Sequence, residues 1–248
     1  MIIDTSLNFA DDTDGFWDNF WENNGGLGAG SSDPDIESPL LQKYHQFLWS
    51  KELPCGEKME LKNGNKYNYL TWKNYRFGSD SILVSFRYKR NYILLKEVEE
   101  YVDNYPLFVE GYVKKLYTIG ATTIFPKHSN SINQSKGCNK YICDRLDLTL
   151  ECIRRFYNND ESPLYDVLKN DANFFKLFVD FKGFVDYFFF QDLVTGNYDR
   201  VLFWIENDNF KNENPMPKTV EQYLNFIDDE IIFSEKRNKR IRDWAAAQ

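Results

Sequence analysis

The clearest change of pattern along the chain comes at Ser38-Pro39, where a serine suited to cap a helix precedes a proline suited to its first turn. The run LLQKYHQFLWS then places Leu40, Leu41, Tyr44, Leu48 and Trp49 on one side, with His45 beside that stripe as a core or boundary residue. From 57 to 95 the period shortens to two. Polar residues alternate with aromatic or β-branched ones, Asn63-Gly64 offers a turn and Gly78-Ser79-Asp80 a further one, so three or four antiparallel strands are predicted. A helix around 95–113, a short strand near 122–125 and a long polar loop over 127–140 follow.

The strongest helical pattern runs from about 141 to 157, with Leu146, Leu150, Ile153 and Tyr157 forming its core stripe. A shorter helix begins at Ser162-Pro163. NFFKLFVDF and GFVDYFFFQDLV are apolar almost all round and belong at the centre, as helix or buried strand. They predict one core in which Phe174, Phe178, Phe181, Phe188 and Leu193 are buried with Leu150 and Ile153. VLFWI reads as a strand. Thr219, with Gln222 three residues on, opens a last helix that is acidic early and basic late. The order helix, strands, helices, strand, helix predicts a single α+β domain, a small antiparallel sheet packed on several helices, over residues 32–248.

Charge separates the beginning of the chain from the rest. Nine of the 38 acids (Asp4, Asp11, Asp12, Asp14, Asp18, Glu22, Asp33, Asp35, Glu37) stand within residues 1–42, which hold no Lys or Arg, so the remainder is nearly neutral although the net charge is −8. Residues 1–31 therefore read as an acidic, aromatic arm ending in a Gly/Ser/Asn-rich connector. Phe16, Trp17, Phe20 and Trp21 share one face of a helical turn for which Asp14 is a plausible cap. Those rings have two destinations. They are candidates for binding a partner, or they fold back onto the chain's own core, the usual remedy for exposed tryptophans.

No apolar run reaches the roughly 18–20 residues of a membrane span, and the acidic start is unlike a secretory signal. Four cysteines without a CxxC pair suggest reduced thiols and a cytoplasmic protein. Zinc held by His128, Cys138, Cys143 and Cys152 would need closely spaced ligand pairs that this spacing does not offer, so no metal is expected.

The polar side of the 141–157 helix carries the sharpest candidate chemistry. Asp144, Asp147, Glu151, Arg154 and Arg155 share a broad face, with Arg145 close by. The carboxylates could hold Mg²⁺ and the arginines clamp a phosphate. The competing reading is an ion-pair ladder in which Glu151–Arg155 is an i,i+4 pair in the favourable order and Asp147–Glu151–Arg154 is satisfied in solvent or against a neighbouring helix. GxGxxG, GxxxxGK[ST] and GxSxG are absent, and two histidines give little material for a catalytic triad. The KRNKR run near the end reads as the solvated end of a helix rather than a nucleic-acid contact.

The segments SDPDIESPLLQKYHQFLWSKELPCGEKMEL, FGSDSI, FPKHSNSINQSKGCNKYICDRLDLTLECIRRFY, SPLYDVL and LFVDFKGFVDYFFFQDLV together resemble an uncharacterised bacterial family known only as a domain of unknown function. The resemblance runs from about Ser32 to Arg242, with the DRxDLTLExIRRxY string its most specific part. It implies one coherent domain, an arm particular to this protein or subgroup, and an arginine in the family where this chain has Lys136, which weakens a phosphate clamp on that loop. It implies no activity. The expected function is that of a non-enzymatic binding or regulatory protein, of bacterial or phage type, acting on a protein or nucleic-acid partner. The alternatives are a Mg-dependent phosphate-handling enzyme acting on nucleotide or nucleic acid, and an acidic mimic of nucleic acid that inhibits a nucleic-acid-binding protein.

Overall fold

The computed structural model describes residues 2–22, 33–64, 69–83, 100, 104–136, 141–205 and 217–248. Its strands β1 (Lys62–Asn63), β2 (Leu70–Trp72), β3 (Tyr75–Ser81) and β4 (Thr122–Pro126) form one antiparallel sheet in that order. The tight turn lies at Lys73-Asn74, with Lys73 at φ 49, and stacks Trp72 on Tyr75 at 5.9 Å. Gly78-Ser79-Asp80 is not a turn. It runs inside β3, where the three residues pair with Phe125, Ile124 and Thr123 of β4. The apolar groups of this stretch come from the partner strand, so the alternation that marks a strand is missing from β3 itself. The further strands expected up to residue 95 fall on residues 84–99, outside the described residues.

The described helices are α1 (Phe16–Glu22), α2 (Pro34–Glu37), α3 (Pro39–Trp49), α4 (Pro106–Leu116), α5 (Ile132–Ser135), α6 (Leu146–Tyr157), α7 (Tyr165–Asn170), α8 (Ala172–Phe175), α9 (Phe181–Phe188) and α10 (Val220–Ala246). Local chemistry sets their ends. Ser38 Oγ accepts from Leu41 N at 3.1 Å to start α3. Thr219 Oγ1 accepts from Gln222 N at 3.1 Å to start α10, while the Gln222 amide oxygen reaches back to Lys218 N at 2.8 Å, one residue short of a capping box. α6 starts later than its pattern suggests: residues 141–145 are not helical, Ile142 bridges Lys136, and Arg145 is extended. VLFWI is not a strand either. Val201 makes only an isolated bridge to Val194, and the Trp204 N–H donates to the Asp147 carboxylate instead of a neighbouring strand.

The core is the one expected: Phe174, Phe178, Phe181, Phe188, Leu193, Leu150 and Ile153 are all buried together. α9 reaches it through a tight approach. A Cβ on Gly183 would lie 2.1 Å from the Phe178 oxygen, so only glycine fits there. Phe178 O also accepts from Asp180 N at 2.8 Å around Val179, at φ 69, a strained three-residue turn.

The amino-terminal segment is part of this core. Ile3, Phe9, Ala10, Phe16 and Phe20 are buried in it. Phe9 N donates to Tyr117 O at 2.9 Å, the Phe16 ring meets Tyr117 edge-on at 5.2 Å, and Asp4 N donates to the Tyr44 hydroxyl at 3.0 Å. Each buried ring removes roughly 150–250 Å² from water, which at about 25 cal/mol per Å² contributes roughly 4–6 kcal/mol towards holding the segment in place. The boundary drawn at residue 31 therefore does not divide residues 2–22 from the domain.

α10 corrects the reading of KRNKR. Arg237 is fully buried, donating through Nε to Phe188 O at 3.0 Å and through Nη1 to Gly120 O and Thr122 O at 2.9 and 2.7 Å. Helical periodicity puts it on the inward face with Glu230, Phe233 and Ile241. The neighbours Lys239 and Arg240 stay on the outer face, paired with Asp243 and Asp192.

Candidate functional site

Along α6, Leu146, Leu150 and Ile153 bind the helix to the core, and the acids stand at the flank of that stripe. Asp147 is completely buried. Arg145, in extended conformation just before the helix, folds its guanidinium onto the carboxylate: Nε donates to Oδ1 at 3.0 Å and Nη2 to Oδ2. Leu148 N and Trp204 N add hydrogen bonds of 2.9 Å, one to each oxygen. Each oxygen therefore accepts two donors.

Glu151 is buried as well. It receives Arg154 Nε and Nη2 at 2.7 and 2.9 Å and Arg155 Nε at 2.8 Å. Burial pushes its carboxyl up, but the two guanidinium groups more than offset this and hold it below the ordinary glutamate value. Asp144 turns to Lys136 Nζ at 2.8 Å.

The three carboxylates proposed as Mg²⁺ ligands thus face three different sets of cations and do not converge. Among the described residues, no group of three or more His, Cys, Asp or Glu is arranged to hold a metal ion. Of the expected ladder, the Glu151–Arg155 and Glu151–Arg154 pairs are present. Asp147 belongs to a different pair, with Arg145.

The remaining polar candidates are similarly occupied. His128 Nε2 meets Asp171 Oδ2 at 2.9 Å, and its Nδ1 accepts from Asn130 N at 3.3 Å. Cys143 and Cys152 are buried, with burial pushing the Cys152 thiol up to about 12, and Cys138 lies outside the described residues. His45 bridges the Tyr69 hydroxyl (3.2 Å) and Thr122 Oγ1 (3.1 Å). Burial and the nearby Arg237 lower it to about 3, so it is a neutral core residue.

Sequence reasoning missed a second charged cluster beside α6. Lys136, itself buried, places Nζ 2.5 Å from Asp80 Oδ2 as well as against Asp144. On the edge of β3 that β2 leaves uncovered, Asp35 of α2 accepts from Ser79 Oγ at 2.9 Å and from Ser81 N. Burial pushes Asp80 up, and with Asp144 and Asp33 nearby it stands at about 6 despite Lys136. Burial, then Asp33 and Asp80, raise Asp35 well above the ordinary carboxylate value. A signal existed: Asp33 and Asp35, Ser79 and Asp80, Lys136, and Asp144, which meet at this cluster, come from four of the stretches that carry the family resemblance.

Of the partner-binding candidates, Phe16 and Phe20 are buried and thereby unavailable to a partner, Trp17 is half-buried with Nε1 donating to Asp11 at 2.7 Å, and the Trp21 side chain lies outside the described residues. With the rings turned in, Asp11, Asp12, Asp14, Asp18 and Glu22 are exposed on the outer face of the same segment. Lys114 lies at its edge, 5.5 Å from the centre of the Trp17 ring.

The model of one family of unknown function matches residues 3–241. That match begins inside the amino-terminal segment, which is therefore a family feature rather than one particular to this protein. No curated protein and no solved structure matches the chain. Among the described residues no helix is long and apolar enough to cross a membrane.

Proposed function

The chain belongs to that family of unknown function, DUF6994, and from this premise we propose that it is a non-enzymatic binding or regulatory protein whose partner is a protein with a basic surface. One observation carries the reading: the amino-terminal segment is anchored by its own rings and holds Asp11, Asp12, Asp14, Asp18 and Glu22 outward on an ordered support. A fixed field of one sign steers an oppositely charged partner and repels one of like charge. A nucleic acid meets that face with like charge, whereas a nucleic-acid-binding protein meets it with opposite charge, as the mimic reading requires. The Mg-dependent enzyme is the less favoured reading, since its carboxylates are spent on Arg145, Arg154, Arg155 and Lys136.

Replacing Asp11, Asp12, Asp14, Asp18 and Glu22 by their amides in the full chain tests the reading. We expect capture of basic proteins to be lost with the melting temperature unchanged, and wild-type capture to weaken steeply as salt rises. Capture that survives both neutralisation and salt would overturn it.

A further inference from the structure

The core holds a charge that stands apart from the acidic amino-terminal face and does not depend on its role. Arg237 of α10 is fully buried. Main-chain carbonyls fix three of its N–H groups: Phe188 O at the end of α9 accepts from Nε, and Gly120 O and Thr122 O at the start of β4 accept from Nη1. Nη2 is buried as well, and it has no hydrogen-bond partner. Among the described residues no carboxylate pairs with the guanidinium. Carbonyl dipoles orient a cation but carry no net charge, so one full positive charge stays uncompensated in the interior. Burial lowers Arg237 to about 9, which still leaves it charged at neutral pH.

The surroundings add a further donor and further positive charge. Arg237 Cζ lies 5.7 Å from the centre of the Trp49 ring and 4.8 Å from that of Phe190. Trp49 is completely buried, and its indole Nε1 also lacks a hydrogen-bond partner. Lys51 Nζ stands 5.3 Å from the centre of the same Trp49 ring. Burial, then the Arg237 charge, lower Lys51 to about 7 against the pull of Asp186. Asp186 itself is engaged by Lys182, Tyr198 and Gln191.

Arg237 and Trp49 are thus two residues in contact, each with a buried N–H donor that lacks an acceptor, and one of them is an uncompensated cation. Such a pair calls for an acceptor that also brings negative charge. We propose that the Nη2 edge of Arg237 is a binding site for a small monovalent anion of the halide type, with the Trp49 indole N–H as its second donor. The single charge of Arg237 sets the valence. Enclosure sets the size, since Arg237, Trp49 and Phe190 are all completely buried. Apolar walls favour a weakly hydrated ion over one that holds its water tightly. The ion neutralises a side chain whose other N–H groups already join α10 to α9 and β4, so its occupancy adds to the stability of the fold. A buried water would satisfy the same donors without the charge, and would leave stability indifferent to the anion in solution.

Thermal melts of the dialysed full chain test the site, with gluconate exchanged stepwise for chloride or bromide at constant ionic strength. We expect the melting temperature to rise by several degrees and to saturate with either halide, because only the folded state offers the site. Arg237→Met should abolish that dependence. Trp49→Phe keeps an aromatic ring but removes the indole N–H, and should need several-fold more halide for half the shift. It carries the test if Arg237→Met does not fold. Crystals grown in bromide should show an anomalous peak within hydrogen-bond distance of Nη2. A melting temperature that follows ionic strength but not the identity of the anion, a halide dependence retained in Arg237→Met or unchanged in Trp49→Phe, or no bromide at Nη2 would each overturn the proposal.

Discussion

Two acidic stretches of this chain, residues 11–22 and 144–151, use the same side chains to opposite ends. In the first, Phe16 and Phe20 go inward and the carboxylates face water. In the second, Asp147 and Glu151 are themselves buried, the first with a buried Arg145 and the second against the half-buried Arg154 and Arg155. Helical spacing reveals which residues share a face, but not what later covers that face. The polar side of α6 is covered from a distance by the segment around Trp204, which hydrogen-bonds Asp147 across 57 residues of sequence. A buried carboxylate with a full set of donors is a structural element.

The comparison breaks most easily at the amino terminus. Deleting residues 1–22 removes Ile3, Phe9, Phe16 and Phe20 from the core, at about 3–5 kcal/mol for each ring lost. Together these approach the roughly 5–15 kcal/mol that holds a domain folded. The truncated chain should show no cooperative melt by circular dichroism, and a melting temperature within a few degrees of the full chain's would return the segment to the status of a detachable arm.

Next in size is Asp147→Asn, which takes a buried carboxylate away from the buried Arg145 guanidinium. Urea unfolding should report a loss of about 3–5 kcal/mol, as for any broken buried pair, in contrast with the few tenths of a surface ladder.

Glu151→Gln should cost about 2 kcal/mol at pH 7, the scale of charged hydrogen bonds lost. Its sign with pH is fixed: the folded carboxyl lies below its unfolded value, so this contribution is fully present above the unfolded pKa of about 4.3 and is lost as pH falls through the folded one. The gap between wild type and Glu151→Gln should therefore narrow in urea melts taken below about pH 4. A gap unchanged from pH 7 to pH 3 would mean that the arginines do not hold the carboxylate.

The smallest effect belongs to the outward acids. Converting Asp11, Asp12, Asp14, Asp18 and Glu22 one at a time to amides should move stability by no more than about 0.5 kcal/mol each.

Local signals carried much of the fold. Ser38-Pro39 and Thr219 start helices where their chemistry says they should, and the all-round apolarity of 173–194 does send those phenylalanines to the centre. The failures are those of residues whose partners lie far along the chain. Gly78-Ser79-Asp80 looks like a turn until Ile124 and Phe125 are set against it, and VLFWI looks like a strand until Trp204 N turns to the Asp147 carboxylate. Arg237 gave no sign of burial, because its stabilisation comes from carbonyls of Phe188, Gly120 and Thr122, and the main chain leaves no trace in a side-chain pattern. The candidate site was half legible for the same reason. The ion pairs within α6 follow from i,i+3 and i,i+4 spacing, whereas Asp35, Asp80 and Lys136 meet only through the sheet.

Whether the α6 carboxylates are structural rather than metal-binding is decided most directly by melting wild type and Asp147→Asn with and without millimolar Mg²⁺ or Mn²⁺. We expect neither ion to shift the wild-type transition and Asp147→Asn to be several kcal/mol less stable in metal-free buffer, in line with a broken buried pair. A metal-dependent gain in the wild type, about 2.7 kcal/mol at a hundred times Kd, that Asp147→Asn abolishes while leaving the metal-free protein equally stable would contradict this directly.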